Sequence, residues 1–244
     1  AEAAAARRGS ASSGAALPDI GRLTRDDLGA AAGFIKKGAW NKADVLLVVA
    51  RQGRWVVKDY GRKGWLVRAA GRMQLAREER AYRRLEGLRG IPRLGRRIDR
   101  DAIAVEYVEG VRLPKFHSIW PLPALASRLE AMLADLHGRG VIHNDIRSRD
   151  NILVTPARSL FLIDFSSAIV FRPGSAACRL LMPAFRRAEW RAFLKWKSTI
   201  DPEGMTEREW AIHRRFGLLR RLWPFNPKRD LEVKRRRAAR RETR

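Results

Sequence analysis

The chain has 244 residues, which suffice for one good core or for two small lobes. Lys and Arg total 51 against 26 Asp and Glu, and the net charge of +25 indicates a polyanionic partner: nucleic acid, anionic lipid headgroups or a phosphorylated glycolipid. The single cysteine, Cys178, excludes an internal disulfide, and no apolar run approaches the roughly 20 residues that a membrane span needs.

The first half of the chain predicts short strands around one long helix. Residues 1–17 are rich in Ala, Ser, Gly and Arg, which indicates a flexible segment. They lack the apolar stretch of a secretory signal, so we expect a cytoplasmic protein. The N-lobe, residues 18–105, is predicted to contain a short helix capped by Thr24 and Asp27 and extending through Ala32, a hairpin of Val45–Ala50 and Trp55–Lys58, a helix over Ala69–Leu88, and strands around Leu94–Asp99 and Ala102–Val105.

Helices dominate the second half, the predicted C-lobe of residues 106–227. Its elements are a connector at Glu106–Gly110, an amphipathic helix over Pro123–Arg139, strands at Ile152–Val154 and Leu160–Ile163, and basic helices from Pro173-Gly174 to Trp223. Residues 228–244 carry nine basic and three acidic side chains and are predicted to be a flexible tail. This order of elements favours an α+β fold with two lobes over a parallel βαβ sheet.

Three short motifs carry the chemistry. They are His143-Asn144-Asp145, Asn151-Ile152-Leu153-Val154 and Ile163-Asp164-Phe165. Phosphoryl transfer from ATP needs a base beside the acceptor hydroxyl and two oxygen ligands for magnesium, and these motifs supply two acids and an amide in that order. The structural alternative is a polar turn followed by a strand that ends in a cap.

Lys58, at the end of a Trp-Val-Val-Lys strand, is the fourth candidate, because a lysine there can reach phosphates. A lysine aimed at phosphates needs an acid that holds its direction, and Glu78 and Glu79 are both available. At about 100° per residue, Glu78 lies closer than Glu79 to the centre of the Leu75–Tyr82 face, so we favour Glu78.

Over roughly residues 33–170 these motifs together resemble the catalytic core of the protein-kinase-like superfamily. The chain looks most like the bacterial lipopolysaccharide kinases, which include the Kdo and heptose kinases, and their RIO-like relatives. The resemblance implies a minimal two-lobed fold, with a small antiparallel-sheet N-lobe and a reduced helical C-lobe, that uses ATP and Mg²⁺. It implies the following roles: Asp145 as base, Lys58 as a catalytic and nucleotide-binding residue, Glu78, Glu106, Val108 and Gly38 as nucleotide-binding residues, and Asn151 and Asp164 as metal ligands.

The chain departs from ordinary protein kinases in three ways. It lacks a Gly-x-Gly-x-x-Gly loop, since Gly33 and Gly38 alone stand where one is expected. It also lacks an Ala-Pro-Glu motif and a long segment after Asp164, where protein kinases dock peptides. Finally, Asn151 follows Asp145 by six residues instead of five, and Asp150 occupies the usual position, so Asp150 is an alternative metal ligand.

The C-terminal helices mix basic side chains with Trp, Phe and Leu, a composition typical of interfacial membrane binding. Trp190, Phe193, Leu194 and Trp196 lie among arginines and lysines in residues 185–197. The alternative is that these apolar residues pack on the C-lobe while the basic ones are solvated. The tail adds positive charge that suits either an anionic membrane surface or nucleic acid.

Three functions are compatible with these observations. The favoured one is a kinase acting on a hydroxyl of a membrane lipid or lipopolysaccharide-type glycolipid, monomeric and bound peripherally to the inner membrane surface. The second is an atypical RIO-like serine/threonine kinase or ATPase. The third is a binding module on a degenerate kinase fold, which has no need for all of Lys58, Glu78, Asp145, Asn151 and Asp164. The four histidines and Cys178 show no zinc-type spacing.

Overall fold

The computed structural model describes residues 19–113, 122–148 and 150–222, so the predictions for residues 1–17 and 228–244 lie outside the described residues. The N-lobe is a five-stranded antiparallel sheet in the order β1-β2-β3-β5-β4. Its elements are α1 (Arg25–Ala31), β1 (Ala32–Lys36), β2 (Asp44–Ala50), β3 (Gly53–Asp59), α2 (Trp65–Arg84), β4 (Leu94–Arg97) and β5 (Ala102–Glu106).

The C-lobe is mainly helical. Its elements are β6 (Val111–Arg112), α3 (Leu122–Gly138), β7 (Val141–Ile142), β8 (Ile152–Val154), β9 (Leu160–Leu162), β10 (Ile169–Val170), α4 (Ala176–Ile200) and α5 (Glu207–Leu222). Strands β6, β8 and β9 form a small sheet, and β7 pairs with β10. The predicted α+β class, with an antiparallel-sheet N-lobe and a mainly helical C-lobe, is therefore confirmed.

The β2–β3 hairpin is the centre of the N-lobe sheet and follows directly from the sequence. Its two strands alternate buried and exposed side chains, and Val48 and Val57 are fully buried on one face. A half-buried strand requires this period of two. Gly53 has φ +118°, which closes the two-residue turn at a conformation that other residues rarely adopt.

Both lobes share one apolar core, which fixes α2 relative to the C-lobe. Tyr82 and Leu85, at the end of α2, pack in the same cluster as Leu129 of α3 and Phe165. Helix α2 begins one turn earlier than predicted and ends at Arg84, where the Leu85 N–H bonds back to the Ala81 carbonyl. Because these side chains are fully buried, α2 is packed against the segment that follows β9.

Four short strands were not predicted: β1, β6, β7 and β10. Three of them have two residues each and carry too little periodicity to detect. Strand β1 begins at Ala32, where the sequence predicted the last residue of a helix, and Gly33 lies within it. The region expected to hold a phosphate-binding loop is therefore partly an edge strand paired with β2.

The apolar residues in the C-terminal half of α4 lie inside the C-lobe, whereas Leu180 and Leu181 near its start are exposed. Phe193, Leu194 and Trp196 are buried, and Trp190 stacks at a tilt on Phe193 with ring centroids 4.9 Å apart. These three buried side chains cannot reach a membrane, because they already cover the C-lobe core. Within the described residues, no helix is long and apolar enough to cross a membrane.

Asp101 links the β4–β5 turn to α2. Its buried carboxylate accepts hydrogen bonds from Arg72 at 2.8 Å and from Arg68 at 2.6 Å, and its carbonyl accepts the N–H of Tyr60 at 2.9 Å. The hydrogen bonds from Arg72 and Arg68 lower the pKa of Asp101 from 3.8 to about 2.

Asp101 should make N-lobe stability dependent on acid. Since its folded-state pKa is lower than its unfolded value, its contribution is present above pH 4 and disappears as the pH falls from about 4 to about 2. We expect Asp101→Asn to lower the unfolding free energy by about 1–3 kcal/mol at pH 7, and to lose this difference near pH 2. Thermal unfolding across this range measures it. Asp135→Asn, at an exposed site on α3, is the control, and a constant difference at all pH values would contradict the assignment.

Candidate active site

A buried ion cluster joins β3, α2 and the segment after β9. Lys58 Nζ lies 2.6 Å from Glu78 Oε1 and 2.8 Å from Asp164 Oδ1. Glu78 is fully buried, whereas the Asp164 side chain is 40% exposed. With both carboxylates ionised, the cluster has one surplus negative charge, and its open side is at Asp164.

Charge pairing determines the ionisation of this cluster. Burial alone lowers the pKa of Lys58, but the carboxylates of Glu78 and Asp164 outweigh it and raise that pKa well above its ordinary value. Burial raises the pKa of Asp164, yet the Lys58 ammonium outweighs burial and holds that pKa well below its ordinary range. Burial also raises the pKa of Glu78, against the opposing effect of Lys58. Lys58 and Asp164 therefore remain a charged pair at neutral pH.

The strand period of β3 and the helical period of α2 explain where Lys58 and Glu78 lie. Lys58 and Val56 share the face of β3 opposite the buried Trp55 and Val57, because side chains alternate along a strand. Glu78 lies on the buried face of α2 together with Tyr82, four residues later. Glu79 instead contacts Arg83 at 2.8 Å and Arg97 at 3.6 Å near the surface, so the structure pairs Lys58 with Glu78 as the helical spacing indicated.

Asp164 is held in a strained turn. Its φ of +66° is left-handed, and its carboxylate accepts the Ser166 N–H at 3.3 Å as the cap of a short 3₁₀ helix. Phe165 is fully buried between Tyr82 of α2, at 5.1 Å between ring centroids, and His143, at 4.6 Å. Left-handed conformations of non-glycine residues persist where the surroundings over-determine them, and this one aims a carboxylate into the cleft.

Residues 143–151, here called the Asp145 loop, bring the base candidate against the amide candidate. Asn151 Nδ2 donates to the Asp145 carbonyl and to Asp145 Oδ2, each at 3.0 Å. The Asn151 carbonyl accepts the Ile163 N–H at 2.9 Å, which ties the loop to the residue before Asp164. Asp145, Asn151 and Asp164, which are up to 19 residues apart, thus converge at one end of the β8–β9 hairpin.

His143 has a structural role, because its ring holds the backbone of the motif. Its ring lies 3.1 Å from the Ile163 carbonyl through Nε2 and accepts the Asp145 N–H at Nδ1, at 3.3 Å. These partners require a neutral ring that is protonated on Nε2. Burial lowers the pKa of His143, in agreement with that neutral state.

The extra residue of the loop is turned away from the site. Asp150 is 58% exposed at its side chain and pairs with Arg112 Nη1 at 3.2 Å, whereas Asn151 is buried against Asp145. The structure therefore places Asn151 in the candidate metal position. Asp150, the alternative, lies at the surface.

Helix α4 supports the Asp145 loop at three points that sequence reasoning missed. The buried Glu189 accepts the Asn144 N–H at 2.8 Å, Lys195 Nζ donates to the Arg147 carbonyl at 3.3 Å, and Trp196 Nε1 donates to the Ile146 carbonyl at 2.6 Å. Glu189 and Trp196 are seven residues apart and therefore share one face of the helix. The sequence analysis left packing on the C-lobe and binding to a membrane surface as alternatives for this segment.

The oxygen atoms of this site fit a magnesium ion. Asn151 uses its amide nitrogen on Asp145, and no hydrogen bond among the described residues uses its Oδ1. Asp164 supplies a partly exposed carboxylate of low pKa. Among the described residues no group of three or more His, Cys, Asp or Glu forms a complete cage. Mg²⁺ suits such a site, because it takes one or two protein carboxylates and completes its shell with phosphates and water.

The remaining nucleotide-binding candidates, Gly38, Glu106 and Val108, differ in whether their polar groups already make hydrogen bonds within the protein. The Gly38 N–H donates to Asp44 Oδ1 at 2.9 Å. A Cβ at Gly38 would lie 2.1 Å from the Ala43 carbonyl oxygen, so the close approach of the backbone here requires glycine. Glu106 holds Arg93 through its carboxylate at 3.1 Å. Val108, in the connector between the lobes, has no hydrogen bond to its N–H or carbonyl among the described residues. The Gly38 N–H is therefore engaged, and Val108 offers a free donor and acceptor.

Comparison with known proteins shows the fold. No protein-family model matches the sequence, and no curated protein matches it either. Two crystal structures of the Rio2 kinase from Chaetomium thermophilum match the structure at 14% identity, each with a TM-score of 0.55. One is the Rio2 kinase–ADP/Mg²⁺–phosphoaspartate complex, over 75% of this chain and 61% of that chain. The other match covers 88% of this chain and 74% of the kinase.

This similarity establishes a protein-kinase-like fold. The chain spans about three fifths of the first Rio2 kinase that it matches, so it resembles a part of that protein. The expected resemblance to lipopolysaccharide kinases is not shown by these matches.

We expect the Trp196 hydrogen bond to stabilise the Asp145 loop. Trp196→Phe keeps an aromatic ring in the core but leaves the buried Ile146 carbonyl without its donor, so the unfolding free energy should fall by about 2–3 kcal/mol. Trp65→Phe, at a side chain 76% exposed, is the matched control and should change it by less than about 0.5 kcal/mol. Urea denaturation measures both, and equal effects would show that the hydrogen bond is unimportant.

Proposed function

Because the chain has a protein-kinase-like fold, we propose that it is an ATP- and Mg²⁺-dependent kinase that transfers the γ-phosphate to an acceptor hydroxyl. The observation that carries this proposal is the convergence of two units on one cleft. The first is the cluster of Lys58, Glu78 and Asp164, and the second is the pair of Asp145 and Asn151. A binding module has no need to bury a lysine between two acids beside a third acid and an amide.

Lys58 is suited to bind phosphate oxygens. Its ammonium stays charged, and Glu78 fixes its direction from a fully buried position on α2. Burying a carboxylate costs free energy, and a close cation offsets this cost. Separating the Lys58–Glu78 pair would therefore destabilise the fold strongly. Glu78 therefore acts as a positioning residue for Lys58, whose remaining donors face Asp164 and the cleft.

Asp145 is suited to orient the acceptor hydroxyl and to accept its proton. Asn151 holds Oδ2 of Asp145, while Oδ1 has no hydrogen bond among the described residues. His143 and Glu189 hold the backbone at and before Asp145 through the N–H groups of Asp145 and Asn144. A carboxylate that is fixed in this way favours a reactive arrangement without further reorganisation.

Asn151 Oδ1 and the Asp164 carboxylate are the groups that would hold magnesium. When bound, Mg²⁺ would neutralise phosphate charge beside these two residues. The surplus negative charge of the Lys58 cluster favours such a cation, and the left-handed turn at Asp164 presents the carboxylate to it.

For the acceptor we propose a membrane lipid or lipopolysaccharide-type glycolipid. Support comes from the net charge of +25 and from large apolar side chains that are exposed on the N-lobe, at Trp40, Trp65 and Leu66. Exposed apolar groups on a strongly basic protein suit an anionic membrane surface. Such a protein would lie on the cytoplasmic face of the membrane without spanning it.

A RIO-like protein kinase or ATPase is the second candidate, favoured by the structural neighbours. The matched Rio2 complex contains a phosphoaspartate, so in that protein an aspartate carries a phosphoryl group. Asp145 and Asp164 are the aspartates of this chain that face the cleft, and either could be modified in the same way. The two candidates differ in which molecule retains the phosphoryl group.

Conservative changes at three aspartates test the assigned roles. Asp145→Asn should lower kcat by about 10²–10⁴-fold with little change in nucleotide affinity. Asp164→Asn should also weaken Mg²⁺-dependent nucleotide binding, because it removes the metal carboxylate. Asp150→Asn, the same change in the same loop at an exposed side chain, is the control and should retain near-wild-type activity. Transfer of labelled γ-phosphate and calorimetric nucleotide binding measure these effects.

Two outcomes would contradict these roles. Equal loss of nucleotide binding in Asp145→Asn and Asp164→Asn would show that Asp145 acts on the nucleotide. Loss of activity in Asp150→Asn would show that Asp150, despite its contact with Arg112, belongs to the site.

The acceptor class can be identified by the chemistry of the labelled product. Cell extract is incubated with labelled ATP and the wild-type or Asp145→Asn protein, then separated into lipid, protein and small-molecule fractions. We expect label in the lipid fraction with the wild type alone. Label on protein that hydroxylamine removes would indicate an acyl phosphate on an aspartate, and stable label on protein would indicate a serine or threonine acceptor. Either result would replace the lipid proposal with the RIO-like one.

A further inference from the structure

A groove of about 690 Å³ separates α4 from α5 on the C-lobe surface, distinct from the candidate active site. Guanidinium groups line it from both helices: Arg186, Arg187 and Arg191 from α4, and Arg208 from α5. Trp190 and Ile212 contribute an apolar wall. The volume is typical of a site for a small ligand.

Three of the arginines that line this α4–α5 groove have no ion pair within the described residues. Arg186, Arg187 and Arg208 make no ion pair or hydrogen bond with any described residue. Glu209, the acid that lines the groove, is already engaged by Lys197 at 2.9 Å and by the Thr206 N–H at 2.8 Å. Several uncompensated guanidinium groups around one cavity favour an anionic ligand.

The sequence of residues 228–244 does not complement the charge of the groove, because it carries nine basic and three acidic side chains. A single carboxylate would leave most of the charge uncompensated, whereas a compact ligand with two phosphate groups matches the guanidinium groups of Arg186, Arg187 and Arg208 in charge and in their forked geometry.

We propose that the α4–α5 groove binds a compact ligand that carries two or more phosphate groups, and that its occupancy is transmitted to the Asp145 loop. The phosphates contact the arginines, and an apolar part of the ligand lies against Trp190. Soluble polyphosphates and anionic lipid headgroups both have this chemistry. The binding does not depend on the proposed kinase activity.

The connection to the Asp145 loop runs through two hydrogen bonds. His137, at the end of α3, lines the groove, and its Nε2 lies 2.7 Å from Glu189 Oε2. The other oxygen of Glu189 accepts the Asn144 N–H at 2.8 Å, one residue before Asp145. A ligand that stiffens the groove wall at His137 thus also stabilises the backbone beside Asp145.

Binding of inorganic tripolyphosphate to the full chain tests the groove. The triple variant Arg186→Gln, Arg187→Gln, Arg208→Gln should bind it about 100-fold more weakly than the wild type. The matched control is Arg77→Gln, Arg80→Gln, Arg89→Gln, which removes the same charge from exposed N-lobe sites without ion pairs among the described residues, and it should bind within about threefold of the wild type. Circular dichroism verifies folding, and the single variant Arg208→Gln replaces the triple variant if that variant unfolds.

Equal weakening in both triple variants would overturn the proposal, because it would show attraction by net charge alone. The proposal would also be overturned if the groove variant bound tripolyphosphate as tightly as the wild type and ATP displaced the bound tripolyphosphate. The tripolyphosphate would then occupy the active-site cleft. For the transmitted effect, tripolyphosphate should slow hydrogen exchange at the Asn144 amide in the wild type but not in the groove variant. Unchanged exchange at saturating ligand would remove that part of the proposal.

Vesicles distinguish the two sources of phosphate. Phosphatidylcholine vesicles that contain phosphatidic acid should displace tripolyphosphate from the wild type if lipid headgroups reach the groove, and pure phosphatidylcholine vesicles should not. Absence of displacement would assign the groove to a soluble ligand.

Discussion

The buried contact of Lys58 with Glu78 constrains the rest of the structure. A carboxylate that is fully removed from water must have a cation close by, and Lys58 provides it at 2.6 Å. This pair fixes the distance between β3 and α2, and the packing of Tyr82 on Phe165 then fixes α2 relative to the C-lobe. Asp164 joins the same ammonium from the opposite lobe. One cation thus holds together three segments that are distant in sequence.

Helix α4 is the second organising element, because its buried face and its exposed face have different roles. Its buried face carries Glu189, Lys195 and Trp196, which hold the Asp145 loop by its backbone. Its exposed face carries the arginines of the α4–α5 groove. Helix α4 is thus both a support for the candidate catalytic residues and a wall of a second anionic-ligand site, and Glu189 connects the two through His137.

Where the sequence has a clear helical period or an exit into a strand, that pattern distinguished between neighbouring candidate residues of the site. The helical period of α2 separated Glu78 from Glu79, and the exit of Asn151 into a strand separated it from Asp150. The composition of α4 did not decide between a membrane surface and a packed core, since a helix that mixes Trp and Arg is compatible with both, and the structure buries Phe193, Leu194 and Trp196. The strand at Gly33 was missed because edge strands depend on pairing with β2, which the local sequence does not encode.

The sequence by itself determined the order of the longer helices and strands, the fold class and the candidate groups Lys58, Glu78, Asp145, Asn151 and Asp164, because these follow from short-range periods, spacings and motifs. Only the tertiary structure decided which polar groups already make contacts within the protein. Gly38 turned out to be engaged by Asp44, Asp150 by Arg112, and the indole of Trp196 by the Ile146 carbonyl. The groove between α4 and α5 likewise exists only after the helices pack. Availability depends on contacts between distant segments, and a linear pattern contains no information on those contacts.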